Sequence, residues 1–203
     1  MSVLSDSKIL EEIDNDRILI KPYNRSQLGS NSYDCILDDK LLVYEDDILD
    51  CKKDHKTSEI TIPDEGMLIL PGRLYLGSTV EYTETKDHVV MFEGKSSLAR
   101  LGLFVHITAG FGDDCYQGHF TVELACVQPI RIYKGMKIGQ LYYQTIEGMV
   151  INPYNIKLDA KYNFNGRGPI KSKMFMNFET NKSKIQQRFI DSGIPNYPDD
   201  DNV

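Results

Sequence analysis

A chain of 203 residues with a formal net charge of −7 is long enough to bury a core without staples, about 70% of its unfolded surface, and too acidic for a general nucleic-acid binder, which needs a basic face. The four cysteines, Cys35, Cys51, Cys115 and Cys126, form no CxxC pair and no disulfide framework, so they read as reduced thiols without a zinc site. The N-terminus lacks a secretory signal, and no segment reaches the ~20 apolar residues that span a bilayer, which points to a cytoplasmic protein with no membrane or nucleic-acid partner.

In chain order, the first element is helical. "SDSKILEEID" offers a Ser or Asp cap, then Ile9, Leu10 and Ile13 at helical spacing. The period then changes to two. "RILIKPY", "YDCILDDKLLVY", "SEITI", "MLILPGRLYLGSTVEYTE", "HVVMFEG", "LFVHITAG", "HFTVELACV" and "IRIYKGMKIGQLYYQTI" are short runs rich in β-branched and aromatic residues, punctuated by Gly, Pro and Asp. This predicts a mainly β protein of the sandwich or jelly-roll-like barrel kind. The expected organisation is one unit: an N-terminal helix over 1–16, a β core over 17–150, a polar arm over 151–180 able to close on a ligand, and a short helix "NKSKIQQRFID" with an acidic tail over 181–203.

The densest cluster of functional side chains is "EGKSSLARLGLFVHITAGFGDDCYQGHFTVEL", residues 93–124. In "GKSSLARLGL", exposed backbone N–H groups, Ser96, Ser97, Lys95 and Arg100 could cradle phosphate oxygens; the competing reading is a helical turn capped by serines. It is not a P-loop, since GxxxxGK[ST] is absent. In "HFTVELACV", Val122 and Leu124 share one strand face while Thr121 and Glu123 share the other. A mid-strand acid faces solvent by default; lining a pocket, it would have a raised pKa and could shuttle a proton. Asp113 and Asp114 sit in a Gly-bounded turn whose default is Asx hydrogen bonding. His106 and His119 have no companions at metal-ligand spacing and read as ordinary strand residues.

Taken together and in order, "EGKSSLARLGLFVHITAGF", Asp113, "QGHFTVEL", "KGMKIGQL", "PYN" and "DAKY…GRGP" resemble the dCTP deaminase branch of the dUTPase-like superfamily, as does the opening "LSDSKILEEID…R…NSYD". The resemblance runs from Leu4 to about Lys173. It implies a distorted jelly-roll-like β-barrel that assembles as a homotrimer with active sites between subunits, and conversion of dCTP to dUTP and ammonia with Mg2+ carried on the triphosphate. By the same resemblance, Glu123 is the general base and acid, and Ser96, Arg100 and the carbonyl of Ala109 position the attacking water. Lys95, Ser96, Ser97 and Arg100 meet phosphates, Thr121, Val122 and Glu123 bound the base, and Asp113 faces the deoxyribose. Tyr154, Lys161 and Asn165 contact the nucleotide from the arm.

One departure bears on the product. The family's "GFIDPGF" is here "GFGDDCY", with Asp114-Cys115 in place of Pro-Gly, which leaves the turn geometry open. The same stretch resembles the dUTPase pattern in which an Asp activates water at the phosphate chain and a Tyr, here Tyr116, packs under the sugar. Release of dUMP and pyrophosphate is therefore the alternative to dUTP as the product, with dUTP and dTTP as further possible ligands. A dUTPase alone would carry a Gly-rich C-terminal phosphate motif, which is missing here; a non-catalytic nucleotide sensor would follow if the altered turn misplaced Asp113. Zinc deaminases use HxE and PCxxC, and neither motif occurs here, so the resemblance implies zinc-free deamination.

Overall fold

The computed structural model describes residues 2–163 and 166–178. The first helix, α1 (Asp6–Asp14), starts where Ser5 Oγ accepts the Lys8 N–H at 3.3 Å, the expected cap. It buries Ile9 and Glu12 against the barrel, and Glu12 is held there by Lys8 at 2.8 Å and Arg17 at 3.4 Å.

Among the described residues twelve strands follow, all paired antiparallel. They are β1 (Ile18–Lys21), β2 (Tyr33–Ile36), β3 (Lys40–Tyr44), β4 (Thr57–Thr61), β5 (Met67–Ile69), β6 (Tyr75–Thr85), β7 (His88–Gly94), β8 (Leu103–Phe104), β9 (Phe111–Gly112), β10 (Gln117–Cys126), β11 (Ile130–Ile132) and β12 (Lys137–Thr145). A single helical turn, α2 (Ser96–Ala99), separates β7 from β8. One sheet runs β4-β3-β6-β10-β8 with β1 also on β6, a second runs β2-β12-β7-β9, and β5 pairs with β11. The protein is mainly β and jelly-roll-like, as the alternation predicts.

The core lies between the sheets. Strand alternation delivers Leu41, Val43, Val122 and Leu124 from the first sheet and Tyr33, Val90, Phe92, Leu141 and Tyr143 from the second, all nearly or fully buried. Burying each such side chain contributes roughly 1.5–3 kcal/mol. Long β6 serves two neighbours on one side, β3 near Leu76 and β1 near Thr85, and pairs with β10 on the other. Between those pairings the register with β10 slips, from His119↔Tyr82 to Thr121↔Ser78. The slack on β6 is pinned by side chains: Phe120 donates its N–H to Thr79 Oγ1 at 3.1 Å, and the His119 ring meets the Thr79 carbonyl at 3.1 Å. Such a bulge bends the strand pair and re-aims side chains, here beside a cavity.

After β12 the described residues form no further strand; the chain returns across the first sheet. Tyr154 donates its N–H to the Asp114 carbonyl, Asn163 Oδ1 accepts the Gln117 N–H, and Ser172 donates its N–H to the Tyr44 hydroxyl. The expected helix over 181–191 and the acidic tail lie outside the described residues. No described helix is long and apolar enough to cross a membrane.

Candidate active site

The outward face of β10 presents His119, Thr121 and Glu123 in a row, while Val122 and Leu124 opposite are fully buried. That row forms one wall of a cavity of about 410 Å³. Ala109, Asp113 and Tyr116 join it from the segment before β10, and Tyr154, Tyr162 and Ile170 from the returning chain. Six of the sequence-predicted residues, Glu123, Ala109, Asp113, Tyr116, Thr121 and Tyr154, thus share one cavity.

Glu123 is part of its lining. Burial pushes the carboxyl above its ordinary value, against a smaller opposing pull from the Ile107 N–H, which donates to Oε2 at 3.2 Å, and from His106. The default solvent-facing role for a mid-strand acid does not apply here. The segment supplying Ile107 and Ala109 is pressed onto β7: Phe92 donates its N–H to the Gly110 carbonyl at 2.7 Å. A Cβ on Gly110 would lie 2.3 Å from the Phe92 carbonyl oxygen, so glycine is what lets the loop approach that closely.

The turn 113–116 also contributes to the lining, through Asp113 and Tyr116. Tyr116 donates its N–H to the Asp113 carbonyl at 3.1 Å, and Cys115 takes φ 61°, a conformation glycine adopts freely and other residues adopt at a cost. The chain keeps a tight turn despite the Asp114-Cys115 replacement. Asp114 contributes through a longer-range bond than an Asx turn, its Oδ1 accepting the Asp87 N–H at 2.8 Å. The turn leaves Asp113 exposed at the cavity and buries Tyr116, whose hydroxyl donates to the His119 carbonyl at 2.9 Å and whose ring packs on Phe120 and near Tyr154. A second cavity of about 280 Å³ adjoins the first and shares Phe111, Asp113 and Tyr154 with it.

The other predicted residues stand elsewhere. Lys95, Ser96, Ser97 and Arg100 lie at α2, outside the cavity wall. The helical turn there is not serine-capped: Lys95 is the N-cap and makes no capping bond, which leaves both serines exposed. Lys95 Nζ reaches Asp34 at 2.5 Å, and Asp34 also takes Lys137 at 2.9 Å. Exposed Arg100 makes no side-chain bond or ion pair among the described residues. Val122 offers the cavity side only its backbone, its side chain being in the core. Lys161 is bonded to Asn177 away from the cavity wall, and Asn165 lies outside the described residues.

The cavity also has lining residues that the sequence reading did not place in the site, among them His119, Tyr44 and Ile170. His119, read from the sequence as an ordinary strand residue, stands at i−4 from Glu123 on the same strand face and so lines the cavity with it. Tyr44 and Ile170 come from distant segments and left no local signal. Among the described residues, no group of three or more His, Cys, Asp or Glu is arranged to hold a metal ion.

Comparison with known proteins gives this geometry a family. The dCTP deaminase-like family profile matches residues 3–146. A Hathewaya histolytica protein named "dCTP deaminase, dUMP-forming" is 49% identical over 177 residues, covering 87% of this chain and 99% of its own. Proteins of the same name from Clostridium acetobutylicum and Cytophaga hutchinsonii are 44% and 46% identical over 87% of this chain, covering 98% and 99% of their own lengths. Among solved structures, a 2'-deoxycytidine 5'-triphosphate deaminase from Agrobacterium tumefaciens superposes with a TM-score of 0.58 at 17% identity, a likeness of fold. That match covers 73% of this chain and about half of the other, 49%.

Proposed function

The chain belongs to the dCTP deaminase-like family, and from that premise we propose that it deaminates dCTP and then hydrolyses the product, releasing dUMP, pyrophosphate and ammonia. Of the two products left open by the sequence, dUMP is favoured over dUTP because the relatives that match nearly end to end carry the dUMP-forming name. The observation that carries the deaminase half is Glu123, a cavity-lining carboxyl with a raised pKa.

In this reading the Glu123 carboxylate takes a proton from water, and the resulting hydroxide adds to C4 of the cytosine. Glu123 returns that proton to N3, then carries the proton of the new C4 hydroxyl to the amino group, so that the tetrahedral adduct collapses to the C4 carbonyl with loss of ammonia. One carboxyl acting in both directions suits this sequence, and a pKa moved toward neutrality suits the carboxyl. Asp113 then orients a second water for attack on the phosphate chain, and Tyr116 packs under the deoxyribose. Their shared wall with Glu123 allows both steps on one bound nucleotide.

The phosphate-binding set at α2 is absent from the cavity wall of its own chain. This supports an assembly in which Ser96 and Arg100 of one copy complete the cavity of the next, with trimeric closure as the family resemblance implies. Mg2+ enters as part of the substrate, on the triphosphate, and the chain's own part is to grip and orient that complex. The test is to incubate the protein with dCTP and Mg2+ and follow ammonia, dUTP, dUMP and pyrophosphate together. Equal release of ammonia, dUMP and pyrophosphate supports the reading; accumulation of one dUTP per ammonia restores the single-step deaminase, and absence of ammonia removes both.

A further inference from the structure

Arg167 belongs to the "GRGP" stretch that neither catalytic step uses. In the structure it reaches back to Asp38, between β2 and β3: Nε donates to Oδ2 and Nη2 to Oδ1, each at 2.7 Å. Asp38 is 3% exposed whereas the Arg167 side chain is 65% exposed. The carboxylate is therefore the buried partner and the guanidinium, among the described residues, its only charged neighbour in bonding contact; the Asp39 N–H supplies one further bond, to Oδ1 at 2.9 Å. Without Arg167, Oδ2 would have no donor among the described residues, and a buried carboxylate left unpaired is strongly disfavoured. A forked guanidinium on both oxygens of a carboxylate is also the most directional ion pair available to a protein.

The pair bears on the cavity through the next few residues. Gly168, at φ 110°, turns the chain, and Ile170 then donates its N–H to Thr121 Oγ1 at 3.1 Å. Ile170 and Ser172 stand in the cavity wall with Thr121 and Glu123. Beyond them the strap is tied by Lys171 to Asp54 at 2.7 Å and by the Ser172 N–H to the Tyr44 hydroxyl at 2.8 Å. Those two ties are exposed or half-exposed and contribute little by themselves. The Arg167 clasp is the one anchored on a buried charge.

We propose that Asp38 is a positioning residue: by gripping Arg167 it seats the returning chain in cis across its own cavity, with Ile170 on Thr121, and so holds the nucleotide-binding form. The kinetic consequence rests on the deaminase reading; the seating does not. When only a fraction of molecules has the strap seated, apparent affinity falls by that fraction while turnover of the bound complex is unaltered.

The test compares Arg167→Gln, Asp38→Asn and the double variant. Hydrogen exchange in residues 166–173 reads the seating, with the amides around Val122 as the control for global folding. Each single variant is expected to speed exchange in the strap at least about tenfold with β10 unchanged, and the double variant no further. The KM for dCTP should rise by a similar factor at little-changed kcat. Should Asp38→Asn fail to fold, Arg167→Gln alone decides, because its side chain is largely in solvent. Unchanged strap exchange in Arg167→Gln overturns the proposal, as do single effects that multiply in the double variant, or a freed strap with unmoved KM. Absence of ammonia release from the unaltered protein would instead remove the deaminase reading and leave the exchange result standing.

Discussion

Ile107 donates its backbone N–H to Oε2 of Glu123 at 3.2 Å, and burial raises the pKa of that acid above the ordinary 4.5 against the smaller opposing pulls of this bond and of His106. Ammonia release should therefore rise with pH through a single ionisation lying above that value, and the pH profile of kcat/KM measures it. A stability effect follows with a definite sign. The native state prefers the neutral carboxyl, so Glu123 contributes stability that is full below the unfolded value and lost as pH rises through the folded one. Glu123→Gln should accordingly raise Tm by a few degrees at neutral pH, with the gain vanishing below about pH 4.5.

Cys115 holds φ 61° in the turn that separates Asp113 from Tyr116. A side chain in that region costs about 1 kcal/mol relative to glycine. Cys115→Gly should raise Tm by about 2–4 °C with activity retained, as read by calorimetry and the ammonia assay. A loss of stability would mean that the thiol's contact with Asp114 outweighs the backbone cost.

Separation of the α2 residues from the cavity predicts complementation. Arg100→Ala and Glu123→Gln should each be nearly inactive alone. Co-assembled in equal amounts, they should recover about a quarter of the sites if each site joins two copies and mixing is random. Recovery is followed as ammonia release in the mixed assembly. No recovery, with co-assembly demonstrated, would put Arg100 in the same copy's site as Glu123 or outside the site.

Much of this was legible in the chain, and the failures have causes. "HVVMFEG" became β7 residue for residue, and "HFTVELACV" became the greater part of β10, because alternation there agrees with burial on one face. "LFVHITAG" reads as an equally good strand, yet only Leu103 and Phe104 pair. Beyond them the backbone is drawn off by other partners: the Ile107 N–H goes to a side-chain carboxylate and the Gly110 carbonyl to Phe92. "YDCILDDKLLVY" breaks at the adjacent acids Asp38 and Asp39 into β2 and β3, and Asp38 is buried. Nothing near Asp38 announces its partner, since Arg167 is 129 residues away. Glu123 and Thr121 were readable from local period; Tyr44, Ile170 and the Asp38 clasp depend on chain return, which local pattern does not encode.

The most direct test of the account divides the two chemistries between two carboxylates. Glu123→Gln should lose ammonia release from dCTP by about 10²–10⁴-fold while still releasing pyrophosphate from dUTP, and Asp113→Asn should do the reverse, leaving dUTP to accumulate. Undiminished ammonia release from Glu123→Gln, with nucleotide binding intact, would contradict the claim that this cavity-lining acid drives water onto the base.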